Sequence, residues 1–174
     1  MKPNLQFDFN VNKENNTIEI KREFAANLDL VWQAWTTAEL LDQWWGPEPC
    51  KAKTKSFDFR EGGHWLYCMI VPPSLTGNEN DLLSWGKQEF EKIVLHQIIS
   101  GVDYFCDENG NANPEMPKGK FENKFTSADG KTLVTMISKH DKFEDIELMI
   151  EMGFKEGITT CFNQIDELLG SMIK

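Results

Sequence analysis

The chain has 174 residues, of which 40% are apolar and 26% charged, a balance typical of one globular domain. Its 28 acidic residues outnumber its 18 basic residues, so the formal net charge is −10. Because this charge repels phosphate backbones and anionic lipids, the composition argues against nucleic-acid and membrane partners. No leader-like segment and no apolar run near the about 18 residues of a membrane span is present, so we expect a cytoplasmic protein.

The first two segments predict a β-hairpin. Apolar and polar residues alternate over 5–11 and again over 18–24, and the polar segment 13–16 separates them. We treat residues 1–16 as an N-terminal extra strand and residues 17–174 as the main domain.

Two short helices are predicted next. A three-to-four residue spacing gives the first helix an apolar stripe of Leu28, Val31, Trp32 and Trp35. Asn27 or Asp29 can cap its N-terminus. Thr36 and Glu39 match a capping box at the start of a second helix, which Pro47 ends.

The middle of the chain predicts a run of strands joined by turns, which favours an antiparallel sheet. The alternation predicts strands over 51–59, 64–71, 84–90, 94–106, 118–126 and 132–140. A change of phase near 55–57 predicts a β-bulge. The pair Asp129 and Gly130 predicts a tight hairpin turn, because that turn requires positive φ angles.

The C-terminal segment predicts a long helix. Apolar residues recur every three or four positions from Phe143 onward, and Gly153 is expected to break the pattern before a main helix over about 154–169. Gly157 is expected to allow a close approach to the sheet. Such an amphipathic helix must bury its stripe, and the predicted sheet offers the only large apolar surface.

Several blocks together resemble homologues of the activator of the heat-shock protein 90 ATPase. The blocks lie at 20–24, 31–36, 41–47, 58–65, 85–87 and 153–157. The resemblance implies an α+β, START-like helix-grip fold, in which a curved antiparallel sheet of about six to seven strands surrounds a long C-terminal helix and two short helices follow the first core strand. It also implies an apolar pocket between helix and sheet.

Aromatic and polar residues near the implied pocket are candidate ligand-binding residues, although each aromatic residue could instead belong to a packed core. The candidates are Trp44, Trp45, His64, Trp65, Tyr67, Trp85, Phe105, Phe125 and Phe154. Tyr67, His64 and Trp85 would supply polar contacts. We find no convergent catalytic set, no metal-ligand pattern and no cofactor motif.

Three functions follow from the resemblance. The first is binding of a small apolar or aromatic molecule in the pocket by a monomer or homodimer. The second is a co-chaperone role on a heat-shock ATPase. The third is a cyclase or hydrolase activity in the same pocket, which would need an acid or base such as His64.

Overall fold

The predicted N-terminal hairpin is present in the computed structural model, which describes residues 4–173. Strand β1 (Phe7–Asn12) pairs antiparallel with β2 (Thr17–Phe24). The β1 side chains also reach the C-terminal helix, since the rings of Phe7 and Phe162 lie 5.6 Å apart. The extra strand therefore contributes to the grip on that helix.

Two helices follow, α1 (Leu28–Thr36) and α2 (Ala38–Trp44). Asn27 caps α1, because its Oδ1 accepts the backbone N–H of Leu30 at 3.0 Å. The predicted capping box is wrong. The hydroxyl of Thr36 donates back to the carbonyl of Trp32 at 2.8 Å, so Thr36 ends α1, and α2 begins without a side-chain cap.

The middle of the chain supplies the rest of the sheet and one short helix. These elements are β3 (Lys51–Asp58), β4 (His64–Val71), α3 (Pro73–Thr76), β5 (Leu82–Val94), β6 (Ile98–Cys106), β7 (Lys118–Ala128) and β8 (Lys131–His140). All neighbours pair antiparallel, in the order β1-β2-β8-β7-β6-β5-β4-β3. The described sheet has 8 strands rather than six to seven, because β1 joins it as an edge strand.

Local irregularities mostly follow the prediction. The register shifts between Thr54 and Ser56, which confirms the bulge, and Asp129 has the positive φ that the hairpin turn requires. The predicted β5–β6 boundary is wrong. A second bulge absorbs the phase change after Phe90, so β5 continues to Val94 and the turn lies at 95–97, where His96 has a φ of 61°.

The C-terminal segment divides into α4 (Phe143–Glu151) and α5 (Phe154–Met172). Gly153 separates them with a φ of 89°, a left-handed conformation that a residue with a Cβ rarely adopts. Helix α5 packs across the concave face of the sheet through Ile158, Cys161, Phe162, Ile165 and Leu169. Within residues 4–173, no helix combines the length and apolar character needed to cross a membrane.

The C-terminal half of α5 is fixed to the sheet by an ion pair. Arg22 of β2 is only 6% exposed, and its Nη2 lies 2.6 Å from Oδ2 of Asp166. The guanidinium also lies over the rings of Phe24 and Phe162, at 4.9 and 5.7 Å from their centroids. Gln164 adds a second anchor by donating to the carbonyl of Gly46 at 2.9 Å.

Substituting Asp166→Asn should lower the free energy of unfolding by about 1–3 kcal/mol, because it leaves the buried Arg22 charge without a charged partner. Urea denaturation monitored by circular dichroism measures this change. Glu167→Gln is the matched control, since Glu167 is the exposed neighbour on the same helix. Equal stability of the two variants would contradict the anchoring role.

Candidate functional site: the cavity between helix and sheet

A cavity of about 440 Å³ lies between the sheet and the N-terminal part of α5. Its cover is formed by the junction of α4 and α5, where Met149, Met152, Phe154, Gly157 and Ile158 face it. The opposite wall is the concave face of the sheet. The cavity lies beyond the anchored half of α5, because Phe162 and Ile165 are fully buried in the core.

Five of the aromatic residues predicted from the sequence border this cavity. They are Trp45, Trp65, Tyr67, Phe105 and Phe154. Three of them form one cluster, in which the ring centroids of Trp65 and Tyr67 are 4.4 Å apart and those of Trp45 and Trp65 are 5.2 Å apart. The cluster forms an aromatic corner between α2 and β4.

Two predicted residues belong to the packed core instead. Trp44 is fully buried and its Nε1 donates to the carbonyl of Ala34 at 2.8 Å, which turns the indole away from the cavity. Phe125 packs against Trp32 and Trp35, with centroids 5.0 and 5.6 Å away. Both residues lie where α1 and α2 meet the sheet, so packing between these elements encloses them.

The other two predicted residues lie on the opposite face of the sheet. His64 and Trp85 each alternate with residues that border the cavity, so their side chains point away from it. His64 shares a hydrogen bond of 2.7 Å with the hydroxyl of Ser56, and Lys55 lies 5.5 Å from the Trp85 ring. His64 therefore cannot provide the acid or base that a reaction in this cavity would need.

A row that includes three polar residues crosses the concave face and was not predicted from the sequence. Strand pairing aligns Gln88 of β5, Asp103 of β6, Gly119 of β7 and His140 of β8 as successive neighbours. Asp103 has the same parity on its strand as Phe105, which was predicted to face the pocket. That parity could have identified Asp103, whereas only the strand register reveals that His140 belongs to the same row.

Two glycines give neighbouring side chains room above the sheet. A Cβ on Gly119 would lie 2.8 Å from Cε1 of His140, so the imidazole occupies the space above this glycine. Likewise, a Cβ on Gly86 would lie 2.5 Å from the Tyr67 hydroxyl. Since Gly119 pairs with Asp103 and Gly86 lies diagonal to it, both side-chain tips lie over positions next to Asp103 in the sheet.

Burial determines the protonation states of the titratable groups at the cavity. Asp103 keeps some accessible surface because it borders the cavity, but protein surrounds it, and this burial raises the pKa of its carboxyl group to about 7. Burial also raises the pKa of the Tyr67 hydroxyl well above its usual value, and the nearby Asp103 acts in the same direction. Burial lowers the pKa of His140, which keeps its imidazole neutral.

Two buried polar atoms at the cavity have no hydrogen-bond partner. Among the described residues, Nε1 of Trp35 and Nδ1 of His140 are the buried side-chain nitrogen and oxygen atoms without one, and both residues border the cavity. Gln88 and Asn123, which are 9% and 6% exposed, also border it. Unpartnered buried polar atoms are costly, so they favour a ligand or water that satisfies them.

Acidic and basic side chains are not balanced among the described residues that line the cavity. Asp103 is its only carboxylate, and no lysine or arginine of the described residues borders the cavity. Across residues 4–173, no cluster of three or more histidine, cysteine or acidic side chains is arranged to hold a metal ion.

These features define a helix-grip domain, with a curved antiparallel sheet, a long C-terminal helix across its concave face and a cavity between them. The chain belongs to the family described as Activator of Hsp90 ATPase homolog 1-like protein, whose model matches residues 25–170. The resemblance seen in the sequence is therefore confirmed. No curated protein has a matching sequence.

Solved structures of bacterial proteins share the whole fold. Protein Ms6760 from Mycobacterium smegmatis is similar with a TM-score of 0.84 and 29% identity, over 95% of this chain and 96% of that one. A protein from Arthrobacter aurescens has a TM-score of 0.81 and 27% identity, over 94% and 91%. A protein from Staphylococcus epidermidis has a TM-score of 0.78 and 26% identity, over 94% and 95%.

Substituting Asp103→Asn should change how stability depends on pH. The folded-state pKa of about 7 lies above the unfolded value of 3.8, so the folded protein binds the extra proton and loses stability as pH rises between these values. The variant lacks this loss. Its free energy of unfolding should exceed that of the wild type by up to about 4 kcal/mol at pH 8 and by little at pH 4.

Urea denaturation across this pH range measures the difference. Asp129→Asn is the matched control, because Asp129 is exposed in a hairpin turn that accepts asparagine. A difference between wild type and Asp103→Asn that stays constant with pH would contradict the burial of the carboxyl group.

Proposed function

We propose that this protein binds a small apolar or aromatic molecule in the cavity between α5 and the sheet. The observation that supports this proposal is the cavity itself, whose volume of about 440 Å³ falls within the range of about 300–1,000 Å³ usual for small-molecule sites. A few polar groups among many apolar ones is also the usual composition of such sites.

The energy of an unfilled cavity supports occupancy. At about 24 cal/mol per Å³, a dry cavity of this volume would cost roughly 11 kcal/mol. That cost is comparable to the about 5–15 kcal/mol by which a folded domain is stable. The space must therefore hold water or a ligand, and an apolar ligand would displace water that the aromatic walls bind weakly.

The walls combine rigid and adaptable side chains. The cluster of Trp45, Trp65 and Tyr67 offers flat surfaces against which an aromatic or alicyclic body can stack. Methionines on both sides add unbranched, polarizable side chains that adjust to irregular shapes. They are Met69, Met136, Met149 and Met152.

Filling the cavity from the helix should abolish binding without loss of stability. Gly157 lies in α5 and borders the cavity, and a Cβ built on it meets only Pro47, at 3.7 Å. Gly157→Leu should therefore place its side chain in the cavity and also gain up to about 1 kcal/mol of helix propensity. A neutral naphthalene dye whose emission reports apolar surroundings should bind the wild type and not this variant.

Gly170→Leu is the matched control, since Gly170 is exposed on the same helix and has no neighbour within 4 Å of a built Cβ. This variant should bind the dye as the wild type does. Native mass spectrometry of the wild type from its own host should also show a bound compound that is absent from Gly157→Leu. If the wild type neither binds the dye nor carries a bound compound, the proposed function is contradicted.

A co-chaperone role is the second candidate, and the description of the matched family supports it. The measurement is the ATPase rate of the host's heat-shock protein 90 with increasing concentrations of this protein. Stimulation that saturates would support the role, and an unchanged rate at a large molar excess would reject it. Gly157→Leu separates the two functions, because a docking surface outside the cavity should tolerate this change.

A further inference from the structure

We infer that the cavity prefers an apolar ammonium compound, meaning a protonated amine on an aromatic or aliphatic body, whose nitrogen pairs with the carboxylate of Asp103. The inference rests on the proposed function and specifies the ligand class of the same site. It is carried by the position of one unpaired acidic side chain among aromatic faces and unpartnered hydrogen-bonding groups.

Asp103 lacks a cationic partner among the described residues. Within residues 4–173 its carboxylate forms no ion pair, and no lysine or arginine borders the cavity. Acidic side chains enclosed by protein are normally paired, because an isolated buried charge is costly. A ligand cation is the partner that would complete this site.

The aromatic corner offers a second feature that attracts a cation. Tyr67 lies on the β4 position that pairs with Gly86, and its hydroxyl lies over that glycine, beside Asp103. The Trp45 and Trp65 rings adjoin the Tyr67 ring, with centroids 5.8 and 4.4 Å away. Aromatic faces attract cations through their quadrupoles, so an ammonium group at Asp103 would also be stabilised by this cluster.

Hydrogen-bond acceptors lie on both sides of Asp103 in the polar row. An ammonium group carries up to three N–H donors. Gln88 on the neighbouring strand has a side-chain carbonyl oxygen, and the neutral His140, two strands away on the other side of Asp103, has a ring nitrogen, Nδ1, without a protein partner among the described residues. The polar row is thus suited to a donor-rich group.

Other head groups fit less well. A carboxylate ligand would meet Asp103 without any lysine or arginine to compensate, in a chain with a net charge of −10. An alcohol has only one donor and no charge, so it would leave most acceptors of the row unsatisfied. Ligands with the same apolar body should therefore bind in the order amine, alcohol, carboxylate.

The pH dependence of binding has a definite sign. The titratable groups that border the cavity are Tyr67, Asp103, Tyr104, His140 and Cys161. Burial raises the pKa of both tyrosines and of Cys161 and lowers that of His140, so these four groups stay neutral near pH 7. Only Asp103 ionises there, and it binds the cation in its ionised form. Amine affinity should therefore rise about tenfold from pH 6 to 8.

Three probes that share a phenyl ring on a four-carbon chain and differ only in the head group test the inference. They are 4-phenylbutylamine, 4-phenylbutanol and 4-phenylbutanoate. Isothermal titration calorimetry with the wild type at pH 8 should show the amine binding at least about tenfold more tightly than the alcohol. Asp103→Asn should remove this preference, because its amide carries no charge, so amine affinity should fall by far more than alcohol affinity. Asp129→Asn, with an exposed aspartate changed in the same way, should keep the preference.

The outcomes distinguish a wrong ligand class from a failure of the proposed function. A selective loss of amine binding in Asp103→Asn supports the inference. If the alcohol binds in competition with the naphthalene dye but the amine binds no better, the ligand class is wrong and the proposed function stands. Tightest binding of the carboxylate also overturns the ligand class. If none of the three probes binds and the dye does not bind, the proposed function fails as well.

Discussion

The whole structure depends on how α5 is held against the sheet. The ion pair of Arg22 with Asp166 and the hydrogen bonds of Gln164 fix the C-terminal half of the helix, where the apolar stripe fills the core. The N-terminal half begins after Gly153 and carries Gly157, and neither glycine has a side chain to fill the same depth. One helix thus completes the core at one end and leaves a cavity at the other.

The chemistry of the cavity depends in turn on glycines in the sheet. Gly86 and Gly119 weaken the strands they occupy, because glycine packs no side chain and loses more chain entropy on folding. In return, the Tyr67 hydroxyl and the His140 ring lie over positions where a Cβ would collide with them. Both groups therefore lie over positions next to Asp103, which lies among neutral groups, and its protonation is set by burial rather than by a neighbouring charge.

Patterns that depend on neighbours in sequence were predictable. The alternation over β4, the turn at Asp129 and the break at Gly153 are each determined within a few residues, and the structure confirms them. The candidate site was predicted only in part, because residue type does not determine which face of a strand a side chain occupies. Trp85 is as aromatic as Trp65, yet strand parity places it on the outer face. The polar row required the register of four strands, which a single sequence does not contain.

Gly153, the left-handed residue between α4 and α5, separates the helix that is anchored to the sheet from the segment that covers one end of the cavity. Global unfolding must release the end of α5 that Arg22 holds, whereas the residues of the 149–154 segment that border the cavity lie at the other end. The backbone hydrogen bonds of α5 begin at the carbonyl of Gly153, so α4 can rotate about this residue without breaking them. A change in the position of α4 can therefore alter the cover of the cavity without disturbing the anchored half of α5.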